Sequence, residues 1–295
     1  MGEATPKNNS TSSQRHNDSN SIDNLGQDQD ISKPPEDNED LPHVQPQEHH
    51  HISPSVRHKI QLSTWLGENK DDPALKVRSY YQPIRQFLAM SQNFLPRLKE
   101  HLLGRLLGHE HDDNGQLFTA QEQIGLTFLH NRIYRHSTFR VNYTTYDLRC
   151  AQDTLNPRTH ADFITLSHED GEEPQNKFPY WFGRIVAIFH AAVIHVGPGS
   201  RSVEPQHMEF LFVRWFGRDL GHRGGWKTKR PHRIGFVDGD DNDAFGFLDP
   251  HEVIRGVHLV PAFHYGRTRD ILPLSRFAHP GQDNDEDWQL FYVNQ

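Results

Sequence analysis

The chain has 295 residues, a net charge of −8 and only 34% hydrophobic residues, so one or two domains fit its length and part of it must lie outside any packed core. One cysteine, Cys150, excludes a disulfide framework and any zinc site built on several thiolates, and points to a reducing compartment. There is no basic n-region followed by an apolar stretch, and no apolar run of about 18 residues, so a nuclear or cytoplasmic location is expected rather than secretion or a membrane span.

Residues 1–58 are built from Asn, Ser, Gln, Asp, Glu, Pro and His with no apolar period. Four cations against ten acids give this stretch −6 of the total charge. It cannot bury enough apolar surface to offset the entropy of ordering, which predicts a disordered acidic tail.

Three helices are expected over 72–136. The first opens at Asp72-Pro73, an Asp cap with Pro at the first helical position, and carries Tyr80, Tyr81, Ile84, Phe87 and Leu88. The second opens near Pro96, lines up Leu98, Leu102, Leu103, Leu106 and Leu107, and ends at Gly108. Thr119 and Glu122 have capping-box spacing, so a third helix is expected to place Ile124, Phe128, Leu129 and Ile133 in the same core.

Beyond His136 the pattern turns to β. Arg140–Tyr146 and Asp162–Leu166 read as strands around an Asn156-Pro157-Arg158-Thr159 turn, forming a connector over 137–175. Six runs follow within 176–295: Trp181–Phe189, Met208–Phe216, Ile234–Val237, Ala244–Leu248, Val257–Phe263 and Trp288–Val293. Short strands with turn-rich links predict a small closed barrel, with Gly183, Gly235 and Gly246 as bend or bulge positions. The fold class expected is α+β: a disordered N-terminal tail, a small helical segment and a C-terminal β-barrel of about six strands.

The order of these segments resembles the bromo-adjacent homology barrel of chromatin proteins: Gly183-Arg184-Ile185 running to Ile188-Phe189, then Val213-Arg214-Trp215-Phe216, then Phe245–Pro250, Ile254-Arg255-Gly256 and Trp288–Val293. The layout is also similar to a C-terminal domain of plant CACTA transposase proteins. Over 90–295 the chain resembles sequences found with basidiomycete Plavaka elements, of the Kyakuja/Dileera/Zisupton transposon group. Leu95–Leu103, Asn131–His136, Arg140–Asp147 and Asn156–His160 carry that likeness. Cys150 departs from it, standing where a basic residue is expected. The resemblance implies a fungal, transposon-derived chain without the catalytic domain, and supplies no biochemical role by itself.

A transposase nuclease needs three carboxylates gathered around two metals. Asp147, Asp153 and Asp162 sit at strand ends and turns, where Asp ordinarily accepts backbone hydrogen bonds. Cys150 with His190 or His195 would be a thiolate–imidazole pair, but a lone cysteine is usually a small buried hydrophobe. Among the 22 histidines, His49-His50-His51 and the His109–Asp113 run could hold a metal. Both read as solvated segments without the rigid support such a site needs. No cofactor, metal or catalytic residue is therefore expected. The Asp238–Asp243 run reads as a solvated hairpin turn.

The sharpest electrostatic feature is the run 214–233. Arg214, Arg218, Arg223, Lys227, Lys229, Arg230 and Arg233 stand against Asp219, a net charge of +6, interleaved with Trp215, Phe216 and Trp226. Cations and aromatic rings together suit phosphate contact and base stacking, or an acidic protein segment. Lys227–Pro231 has the composition of a short nuclear-import patch. The barrel resemblance adds an aromatic cage for a methylated lysine, with Tyr180, Trp181, Trp215 and Trp288 as its candidates by position. The expected role is a non-enzymatic module binding nucleic acid, a chromatin protein or a transposase, and no membrane. The alternatives are a metal-dependent nuclease or hydrolase using His109, His111 or His160 with nearby carboxylates, and a transposon relic without function.

Overall fold

Alternation of apolar residues along two long strands sets the architecture. In the computed structural model, which describes residues 49–53, 58–75, 94–108, 118–144, 150–167, 179–225, 228–279 and 286–294, these strands are Tyr180–His195 and Gln206–Arg218. They pair antiparallel along most of their length, from Phe182 opposite Phe216 to Val193 opposite Gln206. Phe210, Phe212, Arg214 and Phe216 face one side, and Leu211, Val213 and Trp215 face the other, because successive side chains on a strand point to opposite faces.

In chain order the elements are β1 (His50–Ile52), β2 (His58–Gln61), α1 (Leu62–Glu68), α2 (Phe94–Leu107), α3 (Ala120–Gly125), β3 (Leu126–Phe128), β4 (Arg132–His136), β5 (Phe139–Thr144), β6 (Cys150–Leu155) and β7 (Asp162–Leu166). The two long strands are β8 (Tyr180–His195) and β9 (Gln206–Arg218). Then come β10 (Arg233–Phe236), β11 (Phe245–Leu248), β12 (Val253–Gly256), β13 (His258–Pro261), β14 (Arg267–Thr268), β15 (Asp287–Trp288) and β16 (Phe291–Asn294).

Eleven strands form the main sheet, whose principal path is β12-β7-β8-β9-β10-β16-β13. β3 and β4 pair with the far half of β8, β2 pairs with β4, and β11 pairs with β9. β1-β5-β6 is a separate three-stranded sheet, and β14 pairs with β15. The expected closed barrel is not formed: among the described residues, no ladder joins the two ends of the main path. Those ends, β12 and β13, are instead consecutive in the chain and linked by Val257, whose N–H donates to Asp162 O.

Three apolar clusters fill the layers. Leu98, Leu102 and Leu103 of α2, with Leu62 and Leu66 of α1, cover Phe189, Phe210, Phe212 and Phe245 on one face of the long strands. Ile52, Phe139, Val141 and Leu155 of the small sheet cover Ile185, Ile188, Leu211 and Val213 on the opposite face. Beyond the helices, Phe182, Phe216, Ile234, Phe236, Phe291 and Val293 enclose a third cluster where the sheet curls. Each such side chain contributes about 1.5–3 kcal/mol when fully buried.

The second expected helix is present as α2, and Gly108 beyond it has φ 74°, the left-handed value that favours glycine. The third is cut short. Its Thr119–Glu122 capping box forms, but the helix stops at Gly125 and Leu126–His136 forms β3 and β4 instead. Ile124 is exposed, whereas Ile133 reaches the core from a strand, so these residues do not form the expected third helix of a bundle. Most of the first expected helix, 76–93, lies outside the described residues. Asp72 accepts from Ala74 N over a short turn, as a cap would, and also from Ser275 Oγ at 2.7 Å and Arg276 N at 2.9 Å.

The bulge in β8 falls between Ile185 and Ala187, not at the glycines expected to supply it. A Cβ on Gly183 would lie 2.4 Å from the Phe163 ring, and one on Gly246 would lie 2.8 Å from Trp215 Nε1. Close packing against rings, not bending, is what requires glycine at these two positions.

The expected tail boundary at 58 is also too late. His50 is buried in β1, stacks on Phe139 and donates from Nε2 to Val253 O at 2.5 Å. Burial, helped by His49 and His251 and opposed by that hydrogen bond, lowers its pKa from 6.5 to about 4. The folded chain thus resists a proton that the unfolded chain takes up. This contribution to stability is complete above pH 6.5 and is lost as the pH falls from 6.5 toward 4. Urea midpoints at neutral and mildly acid pH are expected to fall less for His50→Gln than for the wild type, and equal falls would refute the assignment.

Candidate nucleic-acid interface

The run 214–233 does not act as one loop. Its first residues complete β9, its last open β10, and the two strands pair from Ile234 opposite Arg218 to Phe236 opposite Phe216. The segment between them is narrowed by a bridge from Gly225 to Arg230. Thr228 Oγ donates to Gly225 O within this tip, and Lys229 takes a left-handed φ of 52°. Trp226 and Lys227 lie outside the described residues.

Two of the seven cations point inward or are neutralised. Arg214 is 1% exposed, so it is withdrawn from the surface expected of it. Its guanidinium lies 3.8 Å from the Phe236 ring centroid, and Nη1 lies 2.8 Å from Asp287 Oδ2. That contact is an ion pair without the angle of a good hydrogen bond, and Nε and Nη2 have no hydrogen-bond partner among the described residues. Asp287 also faces His279 Nε2 at 3.1 Å. Burial raises the Asp287 pKa, but the His279 hydrogen bond and the Arg214 charge outweigh it and hold the carboxyl below its ordinary value. Arg233 pairs with Asp219, donating from Nε at 2.6 Å, and its guanidinium lies 4.6 Å from the Tyr265 ring centroid.

Arg218, Arg223, Lys229 and Arg230 are all exposed. Among the described residues, Arg223, Lys229 and Arg230 have no carboxylate within ion-pair distance, and Asp219 is already taken by Arg233. His232 lies beside them, and burial together with the Arg218 charge and His222 lowers its pKa. Positive charge is therefore concentrated on one exposed connection, an arrangement suited to a polyanion.

The proposed aromatic cage does not assemble from its four candidates. Tyr180 and Trp181 are adjacent on β8 and so face opposite sides of the sheet. Trp181 and Trp215 meet edge to face at 5.8 Å, whereas Trp288 packs edge-on to Phe263 at 5.2 Å. Tyr180 and Trp288 border the third apolar cluster, and Trp215 borders the second.

Several of the candidate catalytic groups have structural partners. Asp162 forms a two-pronged pair with Arg184, at 2.6 and 2.9 Å, and Asp153 accepts from Gly256 N at 2.9 Å. Asp147, His109 and His111 lie outside the described residues. His160 pairs with Asn156 across the 156–160 turn. Cys150 opens β6 in the small sheet, whereas His190 sits in β8 with Nδ1 2.6 Å from His136 Nε2. His195 ends β8 and lines a cavity of about 520 Å³ with Arg105, Arg201, His207 and Asp249. Arg105 spends its charge there on Asp249, at 2.6 Å. Among the described residues, no group of three or more His, Cys, Asp or Glu is placed to hold a metal ion, and no helix is long and apolar enough to cross a membrane.

No protein-family model, curated protein or solved structure matches the chain.

The buried pair makes a quantitative expectation. Asp287→Ala leaves Arg214 charged and unpaired in the interior and is expected to cost about 3–5 kcal/mol in urea unfolding. Arg214→Met combined with Asp287→Ala is expected to be no less stable than Asp287→Ala alone; additive losses would show that the two side chains are uncoupled.

Proposed function

We propose that this chain is a non-catalytic binding module that holds nucleic acid on the hairpin between β9 and β10. The observation that carries the reading is the placement of Arg218, Arg223, Lys229 and Arg230 at the surface, while the hairpin's only carboxylate, Asp219, is neutralised by Arg233. A polyanion recovers the Coulomb energy of such a surface by releasing counterions, with no recognition of sequence. The structural engagement of Asp153, Asp162 and His190 supports the non-catalytic part of the reading.

The likeness of segment order to bromo-adjacent homology barrels, and of residues 90–295 to Plavaka-type sequences, supports a transposon origin and a nuclear setting beside chromatin or a transposase. The curl of β7, β8, β9, β10, β16 and β13 around the third cluster is compatible with that likeness, although the sheet is open.

The full chain is expected to bind DNA with an affinity that falls linearly in log–log form as salt rises. Replacing Arg218, Arg223, Lys229 and Arg230 together by Ala should reduce that slope by about 3–4. Absence of binding at about 50 mM salt overturns the proposal. Equal binding of polyglutamate and DNA of matched charge overturns it in favour of an acidic protein partner.

A further inference from the structure

The outer face of β10, β16 and β13 continues from the hairpin, and it carries aromatic rings that the core does not use. On the inner face, Ile234, Phe236, Phe291, Val293 and Leu259 are buried in the third cluster. Alternation places Arg233, Tyr292 and Val260 on the outer face, with Val260 directly opposite Tyr292. Just after β13, a short turn presents Phe263 and Tyr265, 69% and 37% exposed.

These rings are linked by cations. Arg233 lies over the Tyr265 ring, donates to its hydroxyl and also contacts the Tyr292 hydroxyl. His222 meets Tyr292 edge-on at 6.0 Å. At the opposite end Phe263 packs on Trp288, over which the Arg267 guanidinium lies at 4.5 Å. The result is a strip of alternating rings and cations. Bordering carboxylates are engaged: Asp219 by Arg233, Glu286 by Arg269 and Asp270 by Thr268.

Resting on the reading of the hairpin as a polyanion surface, we infer that the partner is single-stranded nucleic acid, whose unstacked bases lie on Phe263 and Tyr265 while its phosphates follow Arg218, Arg223, Lys229 and Arg230. A duplex keeps its bases stacked inside and can offer such a strip only phosphates. A single strand offers both, and each base on an aromatic ring adds about 1–3 kcal/mol, a factor of roughly 5 to 150. An exposed ring backed by a guanidinium is rigid and costs little side-chain entropy when a base stacks on it. Stacking tolerates any base, so the strip implies little sequence preference.

The test uses the full chain with labelled oligo(dT), oligo(rU) and a mixed-sequence duplex, each about 20 nucleotides long, a length that spans an ordinary single-strand site. Single strands are expected to bind about 10-fold or more tightly than the duplex. A preference between the dT and rU arms identifies DNA or RNA as the source. Phe263→Ala and Tyr265→Ala should each weaken single-strand binding by about 5-fold or more without altering the salt slope, and Tyr265→Phe should retain it. Both positions are exposed, and unchanged thermal melting verifies that the variants fold. Equal single-strand and duplex affinity, or alanine variants that bind as the wild type, overturns the inference while leaving the hairpin reading in place. Failure to bind any of the three removes both.

Discussion

The guanidinium of Arg214 is the constraint around which the β9 face is organised. It occupies a position that the alternation of the strand assigns to the interior, between Phe212 in one apolar cluster and Phe216 in another. Removing a cation from water costs several kcal/mol even after relaxation. Asp287, the Phe236 ring face and the dipoles around them must offset that cost, and this requires β15 and β10 to converge on the same point. Arg184, opposite Arg214 on β8, meets the same demand with Asp162 and the rings of Phe216, Phe236 and Phe291. One buried arginine and one half-buried one thus stand between the helix-covered core and the third cluster.

That internal arrangement shapes the surface. Asp287 serves Arg214, Asp162 serves Arg184 and Asp219 serves Arg233, so nearby acids are committed before the hairpin is reached. The hairpin then carries cations with little to neutralise them, although the chain as a whole is acidic. Net charge alone gives no sign of such a surface; the pairing of particular carboxylates does.

Much of the β pattern was legible because it rests on a local period of two. Each of the six runs read in 176–295 contains or overlaps an observed strand, and the α2 leucines and the Thr119 capping box were readable for the same local reason. The errors arose where tertiary contacts decided. Leu126–His136 has apolar residues compatible with either period, and pairing with β8 selected strand. Arg214 reads as a member of a basic run, and only the register of β9 reveals that it points inward. Tyr265, Phe263 and Tyr292 left no signal, since they are separated in sequence from the cations they accompany. The helix α1 did leave one, the spacing of Leu62, Trp65 and Leu66, within a segment whose polar neighbours masked it.

The position of Asp287 also bears on how the chain acquires its structure during synthesis. β8 and β9 are neighbours in sequence and can pair as a hairpin as soon as both have emerged, bringing Arg214 toward the interior. Its counter-ion follows 73 positions later. In that interval the guanidinium has no carboxylate to accompany it inward, so the cluster around Phe216 and Phe236 has reason to stay hydrated. The Asp72 clasp on Ser275 and Arg276 waits for almost the same stretch of chain. Commitment to the dry, packed state is therefore deferred until Asp287 has emerged, and a chain halted before it would retain a solvated seam where the folded protein has a core.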